Sequence, residues 1–309
     1  MQPFTFALAG AFIGLLSVTS PAAVPAKILA FNPPDSVAFV ARTVTSRTRS
    51  ADTLAPLVDS TFITTNYSLT RSANGFLMTG TQVSTDYTRN GQKVENDISR
   101  LSSNITVTTE LSRTGVATAV RGYEVLFARI DSLPDRKTAD ALKQVFSPQA
   151  LASKEVNEWN SKMSHVIDKA LKLGIDKHDT TSMSVGDGRT LRFYSVAEFA
   201  DTLRVDGQLC LRVRIASDTD PAQLAYNLNT PLAIIGKLFA TPDSLLKKPE
   251  PMASGYHSLT EMLVDVETLL ILRESQRREV IAPITTKDGR SVMSRMTESL
   301  EKVFDYKKP

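Results

Sequence analysis

The fold is decided by the stretch Ser60–Gly91, which reads STFITTNYSLTRSANGFLMTGTQVSTDYTRNG. Apolar and β-branched side chains alternate along it and share two faces: Ile63, Thr65, Tyr67 and Leu69 in the first half, and Leu77, Val83 and Tyr87 in the second. A period of two predicts β-strands over Ser60–Arg71 and Gly75–Arg89. Asn74-Gly75 and Asn90-Gly91 supply the positive φ of tight two-residue turns, so these strands are predicted to form hairpins.

The same composition extends outward on both sides of this stretch. Between Thr43 and Thr118 there are 17 Thr and 10 Ser, interleaved with Val, Ile, Phe, Tyr and Leu. Such a composition suits half-buried strands. It predicts further strands over Ser36–Thr48, Asn104–Arg113 and Val116–Arg121, whereas Ala51–Asp59, with Pro56, is predicted to be a loop.

After Gly122 the apolar period changes from 2 to 3.6, which predicts helices. One stripe runs from Tyr123 to Ile130, and a second runs from Ala139 to Phe146. Ser147-Pro148 is a helix start signal, so a third helix with the only tryptophan, Trp159, is predicted over Gln149–Leu173.

Strands are predicted to resume after a polar loop at Asp176–Thr180. Apolar residues alternate over Arg189–Phe199, which predicts a strand. The Asp206-Gly207 turn leads to a second strand over Leu209–Ile215. A helix is predicted to follow over Pro221–Phe239. Three C-terminal strands are predicted at the end of the chain: Tyr256–Asp265, Thr268–Pro283 and Arg290–Tyr306.

This order of elements predicts an α+β protein. The chain shows no regular βαβ alternation and no glycine-rich βα turn, which argues against a doubly wound fold. Strands joined by tight turns are antiparallel. We therefore expect one large, curved, half-barrel-like antiparallel sheet of about eight to ten strands, with helices on its concave side or at its open end. Residues 27–309 are predicted to form one domain, with a helical insertion at about 122–174 and a helix at about 221–239.

The N-terminal segment has the features of a secretory signal. Met1–Ala26 carries no charged side chain, and Phe4–Val18 is an apolar run too short to span a bilayer. Cleavage is expected after Ala22 or Ala26, giving a periplasmic or secreted protein with no remaining membrane span. The only cysteine, Cys210, lies in a predicted strand, so the fold is expected to hold by burial alone and Cys210 to be a structural thiol.

Three stretches of the chain together resemble a known type of protein: Arg113–Glu124 (RTGVATAVRGYE), the helix with Trp159, and Met262–Arg273 (MLVDVETLLILR). The D-x-x-T-L-L turn within the last stretch is similar to a hairpin of periplasmic half-barrels of the lipoprotein-carrier type and of uncharacterised exported bacterial proteins. The carrier resemblance implies an antiparallel half-barrel over helices, with an apolar concave face that shelters acyl chains. It transfers no functional residue.

Composition and motifs exclude or disfavour several function classes. The formal net charge is +3 with no long basic block, which gives no footprint for nucleic acid. The three histidines (His165, His178 and His257) are scattered, and the common hydrolase and phosphate-binding motifs are missing. We expect no metal site, no cofactor and no catalytic residue that can be named.

A curved sheet that helices cover only in part leaves a trough for a hydrophobic ligand or lipid. Alternate positions on the predicted strands give the candidate lining residues: Ile63, Tyr67, Leu77, Val83, Tyr87, Phe193 and Phe199. Two alternatives remain open. One is an envelope structural or assembly factor that binds a protein partner, and the other is a hydrolase with a scattered site.

Overall fold

A computed structural model describes residues 27–51, 54–95, 101–145, 147–184, 190–219, 255–285 and 291–306. Its described helices are α1 (Glu124–Asp131), α2 (Arg136–Val145) and α3 (Pro148–Met163). Its described strands are β1 (Ser36–Ala51), β2 (Leu54–Ser72), β3 (Gly75–Arg89), β4 (Gln92–Lys93), β5 (Thr106–Ser112), β6 (Ala117–Arg121), β7 (Gly174–Ser184), β8 (Thr190–Val205), β9 (Gln208–Thr219), β10 (Gly255–Asp265), β11 (Ile271–Thr285) and β12 (Ser291–Tyr306).

These strands form one antiparallel sheet with the order β6-β5-β3-β2-β1-β12-β11-β10-β9-β8-β7, and the short β4 pairs with β3. Strands close in sequence lie side by side, and β1 pairs with β12 in the middle of the sheet. Within the described residues the sheet is unclosed, with β6 and β7 at its edges, and α1–α3 lie between those two strands in the chain. The predicted large antiparallel sheet is confirmed, but the molecule is mainly sheet, with fewer helices than the α+β class implies.

Local turn chemistry explains the hairpins. Asn90 and Gly91 have φ values of 49° and 79°, and Asp206 and Gly207 have values of 50° and 86°. Two successive positive φ angles give the turn whose twist matches paired strands. The predicted hairpin turns at both places are confirmed.

The predicted loop over Ala51–Asp59 is wrong. Strand β1 continues to Ala51 and β2 begins at Leu54. The pairing between them shifts register between Arg49 and Ala51, and Pro56 lies within that shift. A β-bulge tolerates proline because it has no ladder hydrogen bond to lose there, so Pro56 does not end the strand.

The predicted polar loop at Asp176–Thr180 is also wrong, because these residues belong to β7. This strand pairs with β8 from Gly174↔Phe199 to Ser184↔Thr190. It is an edge strand of the described sheet, and its sequence, GIDKHDTTSMS, has few apolar side chains. Edge strands are commonly polar, so apolar alternation gave no signal for this one.

The third helix begins as predicted and ends earlier than Leu173. The Ser147 hydroxyl accepts a hydrogen bond from the Ala150 N–H, which caps α3, and the helix ends at Met163. Beyond it the chain turns to meet the N-terminal segment, where the Leu29 N–H donates to the Lys169 carbonyl. Val166 and Ile167 still pack in the apolar core. The apolar pattern that predicted a helix as far as Leu173 therefore arises here from burial of a non-helical segment.

The sheet curls around α3. The Asn160 side chain hydrogen bonds to Ala117 of β6, and Lys162, one half-turn further along α3, contacts Glu274 of β11. In a flat sheet β6 and β11 would lie six strand spacings apart, about 29 Å. One helix reaches both strands only if the sheet bends around it. We call the face turned toward α3 the inner face.

The core forms where α3 meets the inner face. Its fully buried members include Phe199, Leu211, Val213, Met262 and Met163. A smaller apolar cluster lies between α1 and α2 and contains Leu101, Ile130, Ala139 and Leu142.

None of the helices within the described residues has the length and apolar character needed to cross a membrane. The segment Met1–Ala26 and the helix predicted at Pro221–Phe239 lie outside the described residues.

Candidate functional site

A cavity of about 270 Å³ lies between α3 and the inner face of β2, β3, β5, β11 and β12. We call it the main cavity. Its lining combines apolar, aromatic and charged side chains: Thr65, Tyr67, Met78, Gly80, Gln82, Ser102, Ile105, Val107, Thr109, Tyr123, Leu126, Glu155, Glu158, Trp159, Lys162, Met163, Ile271, Glu274, Lys302 and Phe304. Its volume is close to the lower end of the range for small-molecule sites.

Four aromatic rings from adjacent strands pack together beside the cavity, and two of them, Tyr67 and Phe304, line it. Phe39 of β1 stacks on Tyr67 of β2 with ring centroids 5.0 Å apart, and it lies 5.9 Å from Phe304 and 4.7 Å from Tyr306 of β12. Strand register brings them together, because Phe39 pairs with Tyr67 on one side and with Tyr306 on the other. We call this group the aromatic end of the inner face.

The Trp159 ring forms part of the opposite wall. Its Nε1–H donates to the Gly115 carbonyl at 2.8 Å, which fixes the ring beside the cavity. The next residue, Asn160, accepts a hydrogen bond from the Ala117 N–H at 2.8 Å and donates one to the Ala117 carbonyl at 2.9 Å. This side chain satisfies backbone groups of edge strand β6 as a neighbouring strand would, so α3 is held against the sheet.

A buried ion cluster lies at the polar side of the cavity. The Lys162 ammonium is 2.8 Å from the Glu158 carboxylate and 2.5 Å from the Glu274 carboxylate. Burial by itself would lower the pKa of Lys162, but the two carboxylates outweigh this and hold that pKa above its usual value. Burial would likewise raise the pKa of Glu158, but the Lys162 charge keeps it below its usual value.

Both shifts stabilise the charged forms. A general acid or a nucleophilic lysine at neutral pH needs the opposite shifts, a raised carboxyl pKa or a lowered ammonium pKa. Glu158 and Lys162 are therefore suited to act as fixed charges. Nearby, the Tyr123 hydroxyl donates to Glu155 at 3.1 Å, and burial together with the Glu155 charge raises the pKa of Tyr123 well above its usual value.

Lys302 is the second lysine of the cavity, and its surroundings differ from those of Lys162. Its ammonium lies 4.9 Å from the centre of the Phe304 ring and 5.5 Å from that of Tyr67, so it makes cation–π contacts. No carboxylate among the described residues lies within ion-pair distance of it. Glu274 pairs with Lys302 in the strand register, but its carboxylate contacts Lys162 instead.

A small apolar extension of about 30 Å³ adjoins the main cavity. We call it the annex. It shares Met78, Trp159, Ile271 and Phe304 with the main cavity and extends toward Leu69 and Leu111. The path from the main cavity to the annex therefore runs from charged to apolar surroundings.

The structure places the seven predicted lining residues in different environments. Tyr67 lines the main cavity, and Ile63 lies further along the same face of β2. Phe199 is fully buried in the core, and Tyr87 is buried and donates a hydrogen bond to Asp59. Phe193 lies in β8, and its side chain is outside the described residues.

Leu77 and Val83 do not reach the inner face. Leu77 is 36% exposed and Val83 is 42% exposed. The pairing of β3 with β2 shifts register at Val83, between Thr65↔Gln82 and Thr64↔Ser84. This bulge reverses the alternation along β3, so Tyr87 faces inward while Leu77 faces outward. The sequence pattern had placed all three on one face because it could not show the extra residue.

Sequence reasoning missed the charged residues of the cavity. Glu158 and Lys162 have the i, i+4 spacing of a helical ion pair, which was a usable signal. Lys302 lies two positions from Phe304 in a strand and so shares its face. Glu274 joins them only through the pairing of β11 with β12 and the position of α3, which no local pattern reveals.

The D-x-x-T-L-L turn has a structural explanation. The Asp265 carboxylate accepts hydrogen bonds from the N–H groups of Glu267 and Thr268, at 3.0 and 2.7 Å, and from the Thr268 hydroxyl at 2.8 Å. It thereby shapes the turn between β10 and β11. Cys210 is buried beside it, and burial raises the pKa of its thiol, which disfavours the nucleophilic thiolate. The described part of the chain contains no group of His, Cys, Asp and Glu side chains suited to a metal ion.

Comparison with known proteins gives no family. No family model matches the chain, and no curated protein matches it. Among solved structures, it is similar to DynF from the dynemicin biosynthesis pathway of Micromonospora chersina, at 9% identity over 94% of this chain and 92% of that one, with a TM-score of 0.21.

Two Pseudomonas aeruginosa structures also match. For OpdQ the identity is 6% over 89% of this chain and 100% of that one, with a TM-score of 0.21. For OccK5 (OpdH) it is 9% over 89% and 99%, with a TM-score of 0.19. Such low TM-scores support no conclusion about function. The resemblance to lipoprotein carriers stays a prediction.

Proposed function

We propose that this protein is an exported envelope protein that binds a small hydrophobic or amphipathic molecule in the main cavity. The observation that carries the proposal is the cavity itself, where the side chains of α3 and the inner face leave about 270 Å³ between them. Half of the residues that line it are apolar or aromatic, and five are charged, a combination that suits a molecule with apolar and polar parts. Export rests on the Met1–Ala26 sequence.

Pre-organisation supports a binding role. Trp159 is fixed by its hydrogen bond to Gly115, Tyr67 is stacked on Phe39, and Lys162 is held between two carboxylates. Side chains that are already fixed lose little conformational entropy when a ligand arrives. The cavity therefore needs little rearrangement to accept a molecule of matching shape.

Trp159 gives a direct test, because it is the only tryptophan of the chain and lines both the main cavity and the annex. We expect 1-decanol, added to the purified full chain, to change Trp159 emission saturably with a Kd below about 1 mM. Native mass spectrometry of protein purified from cell envelopes without detergent should show whether a ligand is already bound.

Gly80 allows the cavity to be filled by one substitution. A Cβ added at Gly80 would clash with the Tyr67 ring, so Gly80→Leu should push that ring and the new side chain into the cavity. We expect this variant to lose decanol binding while Leu77→Asp, on the outer face of the same strand, retains it. The proposal fails if decanol causes no saturable change, or if Gly80→Leu folds and binds as well as the parent chain.

A further inference from the structure

The two lysines of the main cavity differ in their charge environment, and that difference indicates the ligand. Lys162 contacts two carboxylates that are largely buried with it, so its charge is balanced inside the protein. The Lys302 ammonium lies against the Phe304 and Tyr67 rings and has no ion pair among the described residues. Cation–π contacts leave the N–H donors of the ammonium free to bind an anion.

The apolar surroundings begin directly beside Lys302. Phe304, which contacts the Lys302 ammonium, lines both the main cavity and the annex. A molecule whose anionic group binds Lys302 can therefore extend its apolar part along Phe304 toward Trp159 and Ile271. The order of these groups matches an amphiphile, with a charged head followed by a hydrocarbon tail.

Desolvation strengthens the expected contact. Lys302 is half-buried, so an anion bound to it exchanges some of its water for the ammonium in surroundings of lower dielectric constant. The nearest carboxylate in the strand register, that of Glu274, is already bound by Lys162. Lys302 is thus the group of this cavity that can accept an anionic head.

We propose that the ligand of the main cavity is a single-chain amphiphile with an anionic head, such as a carboxylate, which Lys302 binds while the chain occupies the aromatic path toward the annex. This inference rests on the proposed function, since it names the chemical class of the molecule that the cavity takes.

The test compares three probes that share a ten-carbon chain: decanoate, 1-decanol and decyltrimethylammonium. Each is titrated against the full chain at pH 7.5, below micelle-forming concentrations, with Trp159 emission as the readout. We expect decanoate to bind the parent chain about tenfold more tightly than decanol, as a charge-assisted contact predicts. Lys302→Met should remove that advantage, so that decanoate no longer binds more tightly than decanol.

Two further variants keep the test decisive. Lys302→Arg retains the positive charge and should retain the preference for decanoate. Lys93→Met removes an exposed lysine of β4 that is paired with Asp86, so it controls for the change in total charge and should also retain the preference. Urea unfolding of each variant establishes that it folds.

Each outcome has a distinct meaning. Three outcomes overturn the proposal that the ligand has an anionic head but leave the cavity a binding site. They are equal binding of decanoate and decanol by the parent chain, equal weakening of both by Lys302→Met, and a preference for decyltrimethylammonium. Failure of all three probes to bind overturns the proposed function as well.

Discussion

The two ends of the inner face differ in how they are held together. At the aromatic end, Phe39, Tyr67, Phe304 and Tyr306 pack on one another near α3. Further along the same strands, Asp59 accepts hydrogen bonds from Tyr87 at 2.5 Å, Arg89 at 2.9 Å and Arg49 at 2.6 Å. We call this second region, with the Arg47–Glu298 pair at 2.5 Å, the ionic end.

The comparison shows that one continuous set of strands can be stabilised by different forces along its length. Strand register alone brings oppositely charged residues together at the ionic end, as in Arg47↔Glu298. At the aromatic end the register brings rings together, and α3 completes their burial. Area removed from water stabilises the aromatic end, whereas the ionic end depends on charges that solvent screens in part.

The largest expected difference concerns Phe39, which is almost fully buried. Replacing it with alanine removes ring contacts with Tyr67, Phe304 and Tyr306 and leaves a cavity. We expect Phe39→Ala to lower the free energy of unfolding by about 4 kcal/mol, measured by urea denaturation.

Phe62 provides the matched control, because it lies on the outer face of β2 and is 43% exposed. Phe62→Ala should cost no more than about 1 kcal/mol. Equal losses for the two substitutions would show that the aromatic end is not the main site of burial.

The next largest effect concerns the ion cluster beside the aromatic end. Lys162→Met leaves the Glu158 and Glu274 carboxylates without their shared cation, so we expect a loss of about 3 kcal/mol in the free energy of unfolding. At the ionic end, Arg278→Met removes a longer contact of 3.6 Å to Glu298 and should cost about 1 kcal/mol.

A triple variant isolates the cause of the Lys162 effect. Combining Lys162→Met with Glu158→Gln and Glu274→Gln removes the two unpaired carboxylate charges. This triple variant should recover more than half of the free energy of unfolding that Lys162→Met loses. If the triple variant is no more stable than Lys162→Met, unpaired carboxylates are not the reason for the loss.

The smallest effect is a pH dependence at the ionic end. Burial would raise the pKa of Asp59, but hydrogen bonds from Tyr87, Arg89 and Arg49 hold it below its usual value. A lowered folded-state pKa stabilises the protein above the unfolded-state pKa, near 4, and that stabilisation is lost as the pH falls through the folded-state pKa. We expect Asp59→Asn to cost about 1 kcal/mol at pH 7 and progressively less as the pH is lowered to 2.

Urea denaturation at several pH values measures this dependence. Because the pKa of Glu158 is also lowered, Glu158→Gln serves as the corresponding variant beside the aromatic end. A penalty for Asp59→Asn that stays constant from pH 7 to pH 2 would contradict the role given to the charged carboxylate.

Local features of the sequence were sufficient to predict the hairpins. Asn90-Gly91 and Asp206-Gly207 specify their turns through their own backbone preferences, and the Ser147 cap specifies the start of α3. The strand Gly75–Arg89 has the predicted bounds, but the turn before it differs from the predicted one: Gly75 pairs with Ser72 as the first residue of β3, and Asn74 has no positive φ. Information of this kind does not depend on the rest of the chain.

Which residues line the main cavity depends on contacts between distant parts of the chain, so the sequence pattern predicted few of them. The bulge at Val83 decides which side chains of β3 face inward, and it arises from pairing with β2 rather than from its own residues. Lys302 and Glu274 become neighbours only when β12 pairs with β11, and Lys162 reaches Glu274 only when the sheet curls around α3. Tyr67 was predicted because it lies where alternation is unbroken.

The pairing of β1 with β12 also sets the order of events during synthesis. Strand β1 pairs with β2, which is synthesised directly after it, and with β12, which is synthesised last of the described strands. The aromatic end needs both, since Phe304 and Tyr306 belong to β12. Folding dominated by such distant contacts is slow. The aromatic end, and with it the burial of Phe39, is therefore completed only after β12 has been synthesised.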